Sequence, residues 1–81
     1  MISLIDPHVA EQVYRQLATI LTRWEVDQSR ENTQTLQMAA ASAQAQYDAW
    51  EAAGAYGGQR VQQIHDLVQH VGAMIEVVQQ P

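Results

Sequence analysis

Between Gln59 and Gln80 the chain carries Val61, Ile64, Val68, Val71, Ile75 and Val78 at alternating spacings of three and four. That period places these six β-branched side chains on one stripe of an α-helix. Leu67 and Met74 widen the stripe, and Gln62, Gln63, Asp66, Gln69 and Glu76 lie largely outside it. A helix of this kind is not stable alone in water, because its apolar face has to cover something. Everything upstream must supply that surface, or a second protein must.

Upstream, Asp6-Pro7 reads as a helix start: Asp6 accepts from first-turn amides and Pro7 takes the first helical position, where its missing N–H costs nothing. Ile5 before the cap is placed to staple onto Ala10. Ala10, Val13, Leu17, Ile20, Leu21 and Trp24 then form a second apolar stripe, predicting a helix over about Pro7 to Val26. The stripe lapses in a polar waist from Glu25 to Thr35, where Asp27, Gln28 and Glu31 fall on the expected core positions. Asn32, Thr33 and Thr35 are available as caps, but no capping box is complete, and there is no Gly or Pro between His8 and Ala53. The reading therefore favours one helix running through the waist, roughly 70 Å long from Pro7 to Ala53 at about 1.5 Å per residue; a bend at the waist gives three helices instead.

Leu36 to Ala53 differs in kind. Eight alanines accompany only four large apolar side chains, Leu36, Met38, Tyr47 and Trp50. Alanine forms helix with the least outside help, and a small-residue face lets a neighbouring helix approach closely. The β-branched stripe of the last helix would pack there, large against small. Gly54-Ala55-Tyr56-Gly57-Gly58 ends the segment and predicts a chain reversal, with a last helix over about Gln59 to Val78. Gly72 inside that helix costs roughly 1 kcal/mol against alanine unless a close contact requires it.

At 81 residues, without cysteine, the chain is a single helical domain of a size at which many proteins gain stability by self-association or by docking. The thirteen glutamines leave its polar faces mostly uncharged. Arg15, Arg23, Arg30 and Arg60 are the only basic side chains besides histidine, and the net charge is −5. Nucleic acid needs a basic footprint to displace counterions, and an anionic membrane surface needs Lys or Arg on a polar helix face; neither is expected as a partner. No run approaches the roughly 20 apolar residues of a membrane span, and the N-terminal Met-Ile-Ser-Leu-Ile-Asp-Pro has no basic start or apolar core of a signal peptide. A cytoplasmic protein is the expectation, with leaderless export as the alternative.

No catalytic constellation, cofactor site or metal site is expected. His8 and Glu11 stand at a helical i, i+3 spacing that can serve a metal, but no second pair supports them, and they read as a solvated first turn. His65 and His70 lie on different faces; Asp66 and His70, at i, i+4, read as a surface pair. The glycine cluster has neither a lysine nor a preceding strand and reads as a turn, not a nucleotide loop.

Gln16-Leu17, Leu21-Thr22-Arg23, Gln46-Tyr47-Asp48-Ala49-Trp50 and His70-Val71-Gly72 give the stretch from Val13 to Ile75 a pattern that resembles the small helical co-chaperones of type III secretion needle subunits. The resemblance implies a cytoplasmic protein that pairs with a second chaperone, lays apolar helix faces against a needle subunit before export, and catalyses nothing. A second pattern, Tyr47-Asp48-Ala49-Trp50-Glu51, resembles the helical-hairpin proteins exported by type VII secretion systems. Those carry Trp-x-Gly at the turn, where this chain has Trp50-Glu51-Ala52 with Gly54 two residues later.

The fold expected is all-α: an antiparallel helical hairpin of two long helices, or three helices if the waist bends. In the hairpin, the last helix covers only half of the long arm and leaves the stripe of Val13, Leu17, Ile20, Leu21 and Trp24 partly uncovered. Trp24 and Trp50 read first as core anchors and otherwise as partner hot spots. In so small a chain core and interface are one surface, and that stripe, Trp50, and the last-helix residues Val61, Ile64, Val68, Val71 and Ile75 form the expected partner-binding surface. Another helical protein or a second copy of the chain would occupy it. The function expected is a non-enzymatic interaction module or secretion chaperone subunit, the alternatives being an exported hairpin substrate or a self-assembling structural subunit.

Overall fold

The computed structural model describes residues 3–79; Met1 and Ile2 of the N-terminal reading and Gln80 at the end of the periodic stretch lie outside them. The described residues form three helices: α1 (Pro7–Val26), α2 (Arg30–Ala52) and α3 (Gln59–Gln79). They run up, down and up in a bundle of 49 × 21 × 17 Å in which each helix packs on both others.

The expected start of α1 is present. Asp6 is the N-cap, its carboxylate accepts from the His8 amide at 2.9 Å, and Pro7 follows it. Ile5 packs against the cluster that contains buried Ala10. Ahead of the cap, the chain is pinned to the α2–α3 connection, with the Ile5 amide donating to the Tyr56 carbonyl at 2.9 Å and the Tyr56 amide to Ser3 at 2.7 Å.

The helix expected to continue through the waist does not; α1 stops at Val26 and α2 starts at Arg30. Asp27 is extended at φ −140°, and the cap of α2 is Ser29, not Asn32, Thr33 or Thr35. The Asn32 amide donates to Ser29 Oγ at 3.2 Å, and Asn32 Nδ2 donates to the Asp27 carbonyl at 2.8 Å. The reason is competition: short polar side chains offer the backbone partners that helix continuation would otherwise provide, and no glycine is required. Trp24, fully buried, fixes the corner from inside by donating its indole N–H to Thr33 Oγ1 at 3.0 Å.

The second connection follows the glycines. Gly54 is left-handed at φ +66°; its amide donates to the Glu51 carbonyl and the Ala55 amide to the Trp50 carbonyl, the paired bonds of a Schellman motif. Gly57 has no room for a side chain, since a Cβ there would collide with Val61 and the tip of Ile5.

Because the waist bends, α1 folds back on α2 while α3 covers both. Trp24, Leu17, Leu36, Ile64 and Val71 are the largest fully buried side chains, and no polar or charged residue is buried among the described residues. The expectation of a half-covered Val13–Trp24 stripe is therefore corrected: Leu17, Leu21 and Trp24 are buried, and Val13 and Ile20 pack against the same core.

Candidate helix-docking surface

The residues expected to meet a partner meet one another. Leu17, Leu21, Trp24, Ile64, Val71 and Ile75 are buried core, and Val13, Ile20, Trp50, Val61 and Val68 pack around them. Only their edges reach the surface, in the valleys between helices.

Those valleys follow from the composition of α2. Ala39, Ala40 and Ala43 face the core, while Ala41, Ala45, Ala49 and Ala52 face outward, so α2 is a thin helix with low shoulders. On one side, a valley of about 400 Å³ runs between α1 and α2, lined by Val13, Gln16 and Leu17 opposite Ala39, Ser42 and Ala43. On the other, a valley of about 390 Å³ runs between α2 and α3; Val68, Val71 and Ile75 form its floor and one wall, Ala40, Ala41 and Gln44 the other, with Gly72 and Glu76 on the rim. It adjoins an opening of about 410 Å³ at the pole near Trp24, sharing Gln37, Ile75 and Gln79 with it. Exposed apolar side chains stand nearby on the same elements: Met38, 73% exposed, three residues before Ala41, and Val77 and Val78 at the end of α3.

Polar chemistry is dispersed. Both carboxylate oxygens of Glu11 are engaged, one by Arg15 Nε at 2.8 Å and the other by Arg60 Nε at 2.7 Å. The hydrogen bond from Arg15, followed by that from Arg60, holds the Glu11 carboxyl below its ordinary range. The Arg60 guanidinium also lies 4.1 Å from the centre of the Tyr14 ring and donates to Gln63 Oε1 at 2.7 Å, so this group straps the start of α3 to α1. Between α2 and α3, Gln44 donates to Asp48 at 2.8 Å and Tyr47 stacks on His65 at 4.8 Å between ring centres. Asp66 does not pair with His70 as expected. It accepts from Gln62 at 3.4 Å and lies 3.7 Å from His65 Nδ1, too far for a hydrogen bond. His65 Nδ1 and Gln44 Oε1 are sealed from solvent without partners. This knot contains neither a nucleophile nor a base oriented by a third group. Among the described residues, no three of His, Asp and Glu are placed to hold a metal, and no helix is long and apolar enough to cross a membrane.

Comparison with protein-family models, with curated proteins and with solved structures finds no match for this chain. The valley rims, Ala41, Gly72 and Glu76, are surface positions that the sequence reading noted singly but did not bring together as a partner-facing surface. Their one signal was an alanine run longer than a single buried face requires, together with a glycine inside a helix.

Proposed function

We propose that this chain is a non-enzymatic helical interaction module that receives an amphipathic helix of another protein beside α2. One observation carries the reading: the α2/α3 valley is open, floored by Val68, Val71 and Ile75, and walled by the small side chains of Ala40 and Ala41. Helices pack at about 8–10 Å between axes when small residues let the backbones approach, and a fourth helix laid in such a valley completes a four-helix bundle. Amphipathic helices are recognised by grooves of this kind through apolar anchors at i, i+3, i+4 and i+7. Within that class, the resemblance of Gln16-Leu17, Gln46–Trp50 and His70-Val71-Gly72 to the needle-subunit co-chaperones favours a cytoplasmic chaperone subunit whose client helix aggregates when left uncovered.

Site-specific photo-crosslinking in the native cell tests the reading. A benzophenone side chain placed at Ala41 or Ser42, on the two sides of α2, is expected to give a discrete adduct with another protein. At Gln12, exposed and lining neither valley, it is expected to give none. Absence of adducts from both valley positions, or equal labelling from Gln12, overturns the proposal.

A further inference from the structure

Gly72 is an exposed glycine in the interior of α3, and a Cβ built on it would meet no atom within 4 Å. Glycine destabilises a helix interior relative to alanine, and nothing within the bundle requires its missing side chain. Its position supplies a reason. Gly72 lies on the rim of the α2/α3 valley, across from Ala40 and Ala41, so that both walls are lowered at the same level. Such paired small residues allow another helix backbone to come close.

The charge that lines this valley is negative. Among the described residues Glu76 is the only charged one lining it, and Asp48 follows Gln44 by one helical turn on the same side of α2. From Glu31 to Gln59 and from Val61 to Gln79 the chain has no Lys or Arg. Arg30 borders the adjoining polar opening, not the valley, and Arg15 and Arg23 belong to α1. The valley between α1 and α2, by contrast, is lined by no charged residue among those described.

We infer that the valley between α2 and α3, lowered by Gly72, is the seat of the partner helix, and that this helix carries Lys or Arg beside its apolar stripe. The inference rests on the helix-binding reading above and narrows it to one valley and one charge class. From Val68 to Gln79 the seat is about 16 Å long, which accommodates roughly three helical turns at ~1.5 Å per residue. Contact with Val68, Ala40, Ala41 and the Gly72 backbone, over the buried Val71 and Ile75, supplies the adhesion, and Glu76 with Asp48 sets orientation and rate of encounter.

The test is a nuclear magnetic resonance titration of the full chain with two synthetic helical peptides. Each has Leu and Ala at alternating spacings of three and four, one with Lys and the other with Glu at the flanking positions. The lysine peptide is expected to shift the amides of Ala41, Val68, Gly72 and Ile75, and to bind about tenfold more tightly than the glutamate peptide. Gly72→Leu, for which the space is open, and independently Ala41→Leu are expected to weaken binding about tenfold by filling the valley, with the circular dichroism melt retained. Neither substitution changes charge, so binding that survives both shows general attraction to an acidic chain and overturns the inference. Shifts confined to Val13, Ser42 and Gln46 also overturn it while leaving the helix-binding reading intact. A glutamate peptide bound as tightly as the lysine peptide removes the charge assignment, and a concentration-dependent dimer seated on the same amides replaces the cationic partner with a second copy.

Discussion

Between α1 and α2 the chain reverses over Asp27, Gln28 and Ser29 with no residue at positive φ, whereas between α2 and α3 it uses Gly54 at +66° and a Gly57 that has no room for a Cβ. The first corner is made by side chains: Ser29 caps, Asn32 reaches back to the Asp27 carbonyl, and Trp24 holds Thr33 from the core. The second is made by main chain, through the Schellman bonds and the pairing of Ile5 with Tyr56. A side-chain corner is therefore sensitive to which polar residue stands where, and a main-chain corner to whether a side chain is present at all. Each can be broken separately.

The largest effect is expected from the inside of the first corner. Trp24→Ala removes the largest fully buried side chain and leaves the Thr33 hydroxyl, which still donates to the Ser29 carbonyl, without the donor it accepts from, and a loss of about 3–5 kcal/mol in urea unfolding is predicted. For a chain of this size that is most of its stability. Trp24→Phe, which keeps most of the volume and deletes the indole donor, is expected to lose much less; equal losses for the two would mean that the indole N–H, not the packing, holds the corner.

Gly57→Ala tests the second corner. The added Cβ must push Val61 or Ile5 aside, and overpacking of this kind costs about 1–3 kcal/mol. The amide of Ile5, bonded to Tyr56 next to the displaced residue, is expected to lose hydrogen-exchange protection first. An unchanged midpoint and unchanged protection would show that the turn has slack that its geometry does not suggest.

The contrast between the corners also explains what the sequence made legible. Asp6-Pro7 and Gly54 are local signals whose meaning depends on backbone chemistry alone, and both hold where the pattern placed them. The apolar stripes of α1 and α3 likewise supplied Leu17, Leu21, Ile64 and Val71 to the core. The first corner stayed an alternative because Ser29, and Asn32 and Thr33 although available as caps, suit a helix as well as a turn until Trp24 is placed beside them, and that placement is tertiary. The three-helix alternative holds, and once α1 folds back the apolar side chains of its expected partner-facing stripe are covered from within. The valleys beside α2 were illegible for another reason. Ala40 and Ala41 read alike whether they face the core, a valley or bulk water, so alanine periodicity identifies a helix without orienting it.

Ser29→Ala sharpens the comparison at smaller scale. Losing the N-cap oxygen leaves the Asn32 amide without its partner and is expected to cost about 1 kcal/mol by urea denaturation. Ser29→Gly, which keeps the extended geometry accessible, is expected to cost only about a few tenths of a kcal/mol. If Ser29→Ala is neutral, the corner is a consequence of core packing, and the polar side chains merely decorate it.

The smallest effect separates the corners by pH. The first is held by neutral hydrogen bonds. The second is braced just downstream by charge, where Arg60 at the start of α3 donates to Glu11 on α1. Hydrogen bonds from Arg15 and Arg60 keep the folded-state pKa of Glu11 below the ordinary 4.5. Its contribution is therefore fully present above the unfolded-state value and is lost as the pH falls through the lower folded-state one. The group is solvent-accessible, so the contribution is small and screened by salt. Urea midpoints of the parent chain and of Glu11→Gln are expected to differ at about pH 7 and to draw together as the pH falls below the ordinary carboxylate range, with the gap narrower in high salt. The same gap at every pH would mean that a glutamine NH2 set against an Arg donor, not the loss of charge, makes the difference, and that the second connection, like the first, owes nothing to charge.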